Sequence, residues 1–386
     1  MSDVFINAYH RLPVTFTRGE GAWLWDTGGK KYLDFGSGIA VNSLGHGHPA
    51  LVKALREQAA KLIHVCNYYQ SDTAVRFAER LIAACSRAGM KKLFLANSGA
   101  EANEGAAKLA RKYSLKKYGP GRHRIVTLKG SFHGRTITTL SATGQEKFHK
   151  DFGPFTEGFA FIPGGDIGAL DRALDKTRTA GLLLEAIQGE SGIIPQSPEF
   201  IAEAAKLCAE RDILLMFDEV QCGTGRTGAF LACEHYGVKP DVVTLAKGLA
   251  GGVPVGAFLA GEKAADTLES GDHGSTFGGN PLAAAAGLAV LETVDRPAFL
   301  AEISRKGERL VSAVKAWNHP RVKEVRGRGL MAGVDIEGEA GAVLEKALEA
   351  GLLLLSAGPN TLRFLPPYII SDAEIERGLE ILRGIL

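Results

Sequence analysis

Short apolar runs and segments of helical spacing alternate along the chain between residues 90 and 260. Each apolar run has the length of a β-strand, and the runs read KKLFLANS, RIVTLKG, LLLEAIQGE, ILLMFDEVQ, DVVTLAKG and VGAFLA. Between them lie helical patterns such as EANEGAAKLARKYSLKK, IGALDRALDK and PEFIAEAAKLCAERD, the last with Pro198 in a first turn, where proline is tolerated. Continuously apolar strands separated by helices predict an α/β protein with a parallel sheet covered on both faces.

Composition narrows the class of protein further. The 386 residues hold 45 Lys and Arg against 43 Asp and Glu, a formal net charge of +2, and 45% of the chain is hydrophobic. These values exclude a disordered chain and a strongly basic nucleic-acid binder. The five cysteines are odd in number and lack both a C-x-x-C pair and the spacing of a zinc site, so we expect reduced thiols and a cytoplasmic location.

No targeting or membrane segment is expected. Asp3 and Pro13 interrupt the N-terminal stretch, which does not have the continuous apolar core of a signal peptide. The longest uncharged stretch, residues 274–291, contains a Gly-Gly-Asn-Pro sequence that leaves too few apolar residues to span a membrane.

The pattern of apolar and polar residues changes after Pro281. Long Ala- and Leu-rich helical patterns are followed there by short strands and a closing helix, SDAEIERGLEILRGIL. The first 45 residues contain strand-like GAWLWD and KYLDF around a turn and are too short to fold alone. We therefore expect a large domain over residues 46–280 and a small α+β domain built from residues 1–45 and 281–386.

Ligands of open parallel sheets bind beyond the carboxyl ends of the strands. The residues that directly follow the predicted strands are Asn97–Glu101, Ser131–Arg135, Glu190, Asp218, Glu219 and Lys247. One edge of the sheet is thus predicted to hold a turn of small residues, an aromatic ring, cations, carboxylates and a lysine.

The stretch Ser98, Gly99, Ala100 opens a predicted helix. Small residues let the backbone N–H groups and the serine hydroxyl approach a phosphate at the positive end of the helix dipole. The simpler interpretation is an ordinary helix cap, because serine is a preferred N-cap residue.

Lys247 ends the run VVTLA and is followed by the uncharged, glycine-rich sequence GLAGGVPVG. Desolvation lowers the pKa of an amine, as a lysine that forms Schiff bases requires. A lysine with a buried stem and a solvated head is the alternative.

Asp218 ends the apolar strand ILLMFDEV, where a buried carboxylate needs a cationic partner. A protonated pyridine nitrogen, a lysine, an arginine or a metal would each meet that need. Glu219 should point to the opposite face of the strand.

The stretch from Gly223 to Gly228 matches G-x-G-x-x-G but is a weak dinucleotide signature. It is separated from its strand by polar residues and precedes only the short segment GAFLACEHY, so a nicotinamide dehydrogenase is a minor alternative. The sequence has neither a P-loop nor an H-E-x-x-H motif, and we expect no metal site.

The motifs NSGAEANE, SFHGRT, QGE, FDEVQCGTGRTG, LAKGLAGGVPVGA and GSTFGGNP, in this order, resemble the class III, ornithine-type family of pyridoxal-phosphate aminotransferases. The similarity runs from about Gly19 to the C-terminal LRFLPP. It implies the fold type I architecture, in which a large domain with a mainly parallel seven-stranded sheet covered by helices is joined to a small α+β domain.

The resemblance also implies roles in binding pyridoxal 5′-phosphate. Lys247 would hold the cofactor and carry the proton, and Asp218 would pair with the pyridine nitrogen. Phe132 and Val220 would pack on the two faces of the ring, and Gln221 would reach its hydroxyl. The remaining cofactor positions implied are Ser98, Gly99, Ala100, His133 and, from the partner subunit of a homodimer with shared active sites, Thr276.

The resemblance assigns substrate binding to Arg135, Ser275, Glu190 and Arg363. Arg135 would hold a substrate carboxylate. Glu190 would hold Arg363 during reaction with the amino donor and release it to bind the α-carboxylate of glutamate or 2-oxoglutarate. The family often has glycine where this chain has Ser191, which reduces backbone freedom beside Glu190.

The implied reaction moves the terminal amine of N²-acetylornithine to 2-oxoglutarate, giving N-acetylglutamate 5-semialdehyde and glutamate, as a step of arginine biosynthesis. Ornithine, succinylornithine, succinyl-diaminopimelate and 4-aminobutyrate fit the same residues as alternative donors. A binding protein that keeps the fold without turnover is the alternative of another class. The joint presence of Lys247 and Asp218 argues against it.

Overall fold

The computed structural model describes residues 4–386. Asp3, which enters the argument against a signal peptide, lies outside them, as do the first three residues of the expected small domain. Among the helices of the described residues, none has both the length and the apolar character that a membrane crossing requires.

Seventeen strands form within this range, and they are listed in chain order: β1 (Phe16–Glu20), β2 (Trp23–Asp26), β3 (Lys31–Asp34), β4 (Met90–Ala96), β5 (Arg124–Leu128), β6 (Phe159–Ile162), β7 (Thr179–Leu184), β8 (Ile187–Gln188), β9 (Ile194–Pro195), β10 (Leu214–Asp218), β11 (Val242–Leu245), β12 (Gly256–Gly261), β13 (Val322–Arg328), β14 (Met331–Ile336), β15 (Leu352–Leu353), β16 (Leu355–Ser356) and β17 (Thr361–Phe364).

The helical segments over the same residues are α1 (Ser37–Ala40), α2 (Pro49–Ala59), α3 (Asp72–Ala84), α4 (Gly99–Tyr118), α5 (Ile137–Ala142), α6 (Ile167–Ala173), α7 (Pro198–Glu210), α8 (Pro281–Val294), α9 (Pro297–Lys315), α10 (Ala340–Glu349) and α11 (Asp372–Ile385). The first of them is a single turn whose residues all have positive φ angles. In α7, Pro198 occupies the first turn, as its position in the sequence predicts.

The central sheet has seven strands in the order β4-β12-β11-β10-β7-β5-β6. Its pairs β10–β11, β10–β7, β5–β7 and β5–β6 are parallel, and β12 runs antiparallel to both of its neighbours. Every residue of β7 and β10 is buried, because helices cover both faces. The mainly parallel seven-stranded sheet of the fold type I prediction is confirmed.

The N-terminal strands pair with the C-terminal part of the chain. Strand β3 pairs in parallel with β15, with Leu33 opposite Leu352, which completes a four-stranded sheet of order β1-β2-β3-β15. A second four-stranded sheet has the order β13-β14-β17-β16. One apolar cluster includes Leu33, Phe35 and Phe364, and it is distinct from the larger cluster that packs on the central sheet.

Candidate active site

A cavity of about 410 Å³ opens at the carboxyl ends of β10 and β11. It lies where the strand-end rule places a site, because parallel strands end at the same edge of the sheet. Eleven of the residues predicted for the cofactor and the substrate line it: Ser98, Gly99, Ala100, Phe132, His133, Arg135, Glu190, Asp218, Val220, Gln221 and Lys247.

Lys247 follows β11 at the start of a short 3₁₀ helix, Lys247–Ala250. Its φ angle of 46° places a residue with a side chain in the left-handed region, a strained conformation of the kind that functional sites retain. Desolvation by burial lowers the pKa of Lys247, and the nearby Glu190 carboxylate offsets part of that shift. A larger neutral fraction makes the amine a better nucleophile and proton carrier.

Asp218 is the last residue of β10 and is 3% exposed. Its Oδ2 accepts hydrogen bonds from Asn103 Nδ2 at 2.8 Å and from His133 Nδ1 at 2.7 Å, and its Oδ1 accepts one from Val220 N at 3.0 Å. The sequence predicts a cationic partner for this carboxylate. Within residues 4–386 no lysine or arginine donates a hydrogen bond to it, and its direct partners are an amide, an imidazole and a backbone N–H.

This arrangement fits a protonated ring nitrogen. An ionised carboxylate has about four acceptor positions, of which three are used here and one remains on Oδ1. His133 lines the cavity, and its Nδ1 is bonded to the Asp218 carboxylate.

The start of α4 forms the floor of the predicted phosphate cradle. Ser98 Oγ accepts a hydrogen bond from Glu101 N at 3.2 Å, so the serine is a helix cap as well as a cavity residue. A Cβ on Gly99 would lie 2.7 Å from Val220 Cγ1, which shows why a glycine stands there. The first backbone N–H groups of a helix lack intrahelical acceptors, and those of Gly99 and Ala100 belong to residues that line the cavity.

Arg363 reaches this edge from β17. Its Nη1 lies 2.6 Å from Glu190 Oε1 and 3.0 Å from the carbonyl oxygen of Gly189. Gln221 Nε2 donates to the same Glu190 oxygen at 3.2 Å. Burial pushes the pKa of Glu190 upward, but Arg363 and Lys247 outweigh burial, and the pKa is lowered overall. The predicted pair of Glu190 and Arg363 is therefore formed in this structure.

Arg135 is exposed and lines the cavity. Its guanidinium carbon lies 3.9 Å from the centre of the Phe148 ring and 5.7 Å from that of Phe132. Stacking on two aromatic rings holds the cation in place while its N–H groups stay available for a carboxylate. Phe148 is a contact that the sequence analysis missed.

Ser275 and Thr276 do not line the cavity of this chain. Ser275 Oγ accepts a hydrogen bond at 3.1 Å from Asn97, which is a lining residue, whereas Thr276 is exposed. Asn67 Nδ2 donates to the carbonyl oxygens of Ser275 and Gly278, both at 2.9 Å, and so ties residue 67 to the same loop.

The loop that carries Ser191 contains two left-handed residues. They are Gly192, with a φ angle of 123°, and Ile193, with 54°. Ser191 precedes both, and its Oγ lies 3.5 Å from Gln188 Oε1.

Glu185 is a lining residue that the sequence analysis also missed. It is 5% exposed, and its two oxygens accept hydrogen bonds from Phe132 N and Gly189 N, both at 2.9 Å. Burial raises the pKa of Glu185 to about 7. An acid just inside an apolar run, LLLEAIQGE, was the available signal.

Glu219 lies on the other side of β10, as the alternation along a strand predicts. Its oxygens accept hydrogen bonds from Ala232 N at 2.8 Å and Cys233 N at 2.7 Å. The Cys222 thiol approaches a Glu219 oxygen at 3.4 Å, and burial raises the pKa of that thiol well above its usual value. Neither residue lines the cavity, and a thiol so buried is a packing residue.

The stretch from Gly223 to Gly228 leads into a short 3₁₀ helix, Ala232–Tyr236, and not into the long helix that a dinucleotide motif requires. Within residues 4–386, no group of three or more His, Cys, Asp and Glu side chains is arranged to hold a metal ion.

Comparisons with known proteins agree on one family. The sequence profile of class-III aminotransferases matches residues 4–386. An acetylornithine aminotransferase from Caldanaerobacter subterraneus subsp. tengcongensis is 50% identical over 384 residues, covering 99% of this chain and 96% of that protein. An acetylornithine aminotransferase from Aquifex aeolicus is 47% identical over 381 residues, covering 99% of both.

Solved structures show the same likeness. The N-acetylornithine aminotransferase from Stenotrophomonas maltophilia has a TM-score of 0.85 and 40% identity, covering 98% of this chain and 96% of that chain. The ornithine aminotransferase from Toxoplasma gondii has a TM-score of 0.93 and 34% identity, covering 99% and 92%.

Proposed function

Because the chain belongs to the class III aminotransferase family, we propose that it transfers the terminal amino group of N²-acetylornithine to 2-oxoglutarate, yielding N-acetylglutamate 5-semialdehyde and glutamate. The observation that carries this proposal is one cavity that gathers a desolvated lysine, a buried carboxylate and Arg135, with Arg363 bonded to the lining residue Glu190, in a chain about half identical to acetylornithine aminotransferases. The reaction is a step of arginine biosynthesis.

Pyridoxal 5′-phosphate is the cofactor of this family, and the cavity fits it. Lys247 would hold it through the amine, Asp218 would accept a hydrogen bond from the ring nitrogen, and the N–H groups of Gly99 and Ala100 would take the phosphate. Phe132, Val220, Gln221, His133 and Ser98 complete the surroundings. When bound, this cofactor supplies an electron sink for the carbon that loses its proton.

Residues of the chain transfer the proton and bind the substrate. Lys247 moves the proton at the carbon that carries the amine, and its lowered pKa leaves part of the amine unprotonated for that purpose. Arg135 binds the carboxylate of the donor, because a guanidinium fork grips a carboxylate with two parallel hydrogen bonds.

Donor and acceptor differ in charge, and the second arginine accounts for that difference. N²-Acetylornithine has one carboxylate, whereas 2-oxoglutarate has two. While the donor reacts, Arg363 stays neutralised by Glu190 at 2.6 Å. When the acceptor binds, Arg363 leaves Glu190 and takes the second carboxylate. Ser275, next to Asn97 at the rim, joins the substrate side.

The decisive experiment is a half-reaction titration of the protein loaded with pyridoxal phosphate. N²-Acetylornithine, ornithine, succinylornithine, succinyl-diaminopimelate and 4-aminobutyrate are added in turn, and loss of the visible absorbance of the bound cofactor is recorded. A rapid response to acetylornithine supports the proposal, and a preference for another amine keeps the chemistry and changes the donor. A protein that holds no cofactor, or whose absorbance no amine alters, is a binding protein.

The active unit is a homodimer with shared sites. Thr276 is exposed and lies outside the cavity of its own chain, as expected if it completes the phosphate site of the partner. The next residue, Phe277, is 61% exposed, and Tyr68 and Tyr69, which follow Asn67 of the contact with this loop, are 95% and 71% exposed. Exposed apolar residues gathered in this way are typical of an interface.

Mixing two impaired variants tests the shared site. In a heterodimer of Lys247→Ala and Thr276→Ala, one of the two sites carries neither substitution. Activity above the summed activities of the two variants measured alone supports sharing, and a mixture no more active than that sum contradicts it.

We also retain the division into a large domain, residues 46–280, and a small domain, residues 1–45 and 281–386. The pairing of β3 with β15 supports it. Helix α8 joins the two parts, because Ala283, Ala284 and Ala286 pack in the apolar cluster of the central sheet, whereas Val290 and Val294 pack in the other cluster. A cytoplasmic location is supported by five free cysteines, four of them buried.

A further inference from the structure

A chain of hydrogen bonds links Asp218 to two residues that the family resemblance does not assign, Asn103, which lines the cavity, and Thr244. Thr244 is the register partner of Asp218 on the neighbouring strand β11. Its hydroxyl donates to Asn103 Oδ1 at 2.7 Å. Asn103, in the first part of α4, donates in turn to Asp218 Oδ2 at 2.8 Å and to the carbonyl oxygen of His133, also at 2.8 Å.

We propose that Asn103, oriented by Thr244, is a positioning residue that fixes the orientation of the Asp218 carboxylate, so that its unused Oδ1 position can meet the ring nitrogen of the cofactor. This inference rests on the proposed function, because it concerns how Asp218 meets pyridoxal phosphate.

The contacts allow the Asn103 amide only one orientation. Both hydrogens of Nδ2 meet acceptors, the Asp218 carboxylate and the His133 carbonyl, and Oδ1 meets the Thr244 hydroxyl. An amide turned by half a rotation would set its oxygen against those two acceptors. Thr244 therefore specifies which end of the amide faces Asp218.

Burial increases the energetic contribution of these hydrogen bonds. Asn103 is 2% exposed and Thr244 is fully buried, so water cannot replace a bond that is removed. A hydrogen bond to a charged group in such surroundings contributes more than one between neutral groups.

The bonds also decide where the shared proton lies. Hydrogen bonds donated to a carboxylate favour its charged form. With Asn103 and His133 both bonded to Oδ2, a proton shared by Oδ1 and the ring nitrogen of the bound cofactor would stay on the nitrogen, where the electron sink needs it. Without the Asn103 amide, the carboxylate competes better for that proton and is free to turn.

The test uses three variants and the ¹⁵N chemical shift of ring-labelled pyridoxal phosphate bound to each protein. Asn103→Leu removes the amide at similar volume. Thr244→Val removes only the hydroxyl that orients it. Thr127→Val is the matched control, because Thr127 is a fully buried threonine on β5 whose hydroxyl makes no hydrogen bond within residues 4–386.

In the wild type we expect the shift of a protonated ring nitrogen. Asn103→Leu should move it toward the unprotonated value and lower kcat by about 10- to 100-fold, the range for one hydrogen bond to a buried charge. Thr244→Val should change both in the same direction but less, and Thr127→Val should leave both unchanged.

A wild-type ¹⁵N shift in Asn103→Leu overturns the inference while leaving the proposed function intact. If Asn103→Leu does not fold, Thr244→Val decides, because it keeps the shape of the side chain: a wild-type shift and kcat in that variant overturn the inference. A wild-type protein that binds no pyridoxal phosphate overturns the proposed function as well.

Discussion

Two clusters of charged groups face the same cavity, and they differ in how far water reaches their acidic side chains. The first is the Asp218 cluster, formed by Asp218, His133, Asn103 and Thr244. The side chains of Asp218 and His133 are 3% and 0% exposed. The second is the Glu190 cluster, formed by Glu190, Arg363 and Gln221, in which the side chain of Glu190 is 23% exposed.

The difference separates a fixed region from an exchangeable one. In the Asp218 cluster the hydrogens of the Asn103 amide and the Thr244 hydroxyl have acceptors, and these groups are buried, so a movement breaks bonds that water cannot replace. His133 Nε2 is the exception in this cluster, because it has no partner within residues 4–386. In the Glu190 cluster Arg363 uses Nη1 for all its hydrogen bonds, and its Nε has no partner within residues 4–386. A partly solvated acid and an incompletely bonded arginine can separate at lower cost. We infer that the first cluster holds the cofactor still while the second admits substrates of different charge.

The pKa of Lys247 is influenced by charges of both clusters, Asp218 in the first and Glu190 and Arg363 in the second. Replacing this lysine should have the largest effect on kcat. The Lys247→Ala variant loses the side chain that we propose holds the cofactor and carries the proton, so we expect kcat to fall by about 10⁴-fold, the upper range for a group in acid–base catalysis. Single-turnover kinetics with acetylornithine measures it. Lys247→Arg keeps the positive charge and should be equally inactive. A Lys247→Ala variant within tenfold of wild type contradicts the assignment.

The second largest effect is expected from a substitution in the Asp218 cluster. Asp218→Asn keeps the shape but removes the charge and places an amide among donors, so kcat should fall by roughly 100- to 1,000-fold, as for the loss of a preorganised electrostatic contact. The affinity for pyridoxal phosphate, measured by equilibrium dialysis, should fall with it. Glu219→Gln is the matched control, since it removes the adjacent buried acid on the other side of β10 and should leave that affinity unchanged. Equal losses in the two variants would show that stability, and not the charge at residue 218, is responsible.

Glu185 connects the two regions, because its oxygens bind Phe132 N beside the first cluster and Gly189 N beside the second. Its pKa rises from 4.5 to about 7 in the folded protein. A raised folded-state pKa favours the protonated form, so its contribution to stability is complete below about pH 4.5 and is lost as the pH rises through about 7. The loss is at most about 3 kcal/mol.

The Glu185→Gln variant should therefore lose that pH dependence. Urea unfolding of wild type and variant between pH 4.5 and 7.5 gives the two slopes. Glu210→Gln, at an exposed acid near the end of α7, is the control and should keep the wild-type slope. Parallel curves for Glu185→Gln and wild type would show that this carboxyl does not determine the slope.

Sequence reasoning finds the residues that end strands and misses those that hold them. Lys247 and Asp218 are visible because each terminates an apolar run, and the order of the runs places both at one edge. Asn103 and Thr244 are 141 positions apart, and nothing local to either predicts the contact. The alternation along β11 does not reveal that Thr244 stands in register with Asp218, because register depends on how two strands pair. The alternation of strands and helices predicts the mainly parallel sheet. It does not predict that β12 runs antiparallel to its neighbours, because that direction depends on how the chain connects β11 to β12.

The exchangeable cluster gives the smallest effect and the sharpest test of the comparison. Glu190→Gln leaves Arg363 without its charged partner, so the guanidinium is available to a second carboxylate throughout the cycle. Glutamate has two carboxylates and acetylornithine has one. The ratio of kcat/KM for glutamate to that for acetylornithine, from the two amine half-reactions, should therefore rise about tenfold, which corresponds to one modest charged hydrogen bond.

Arg363→Ala should move the same ratio in the opposite direction, because it removes the group that the second carboxylate needs. If both variants lower the two half-reactions equally, Arg363 does not exchange partners and the Glu190 cluster is as fixed as the Asp218 cluster. Opposite movements, with cofactor affinity unchanged in both, would instead show that the incompletely bonded arginine lets one cavity accept substrates of two different charges.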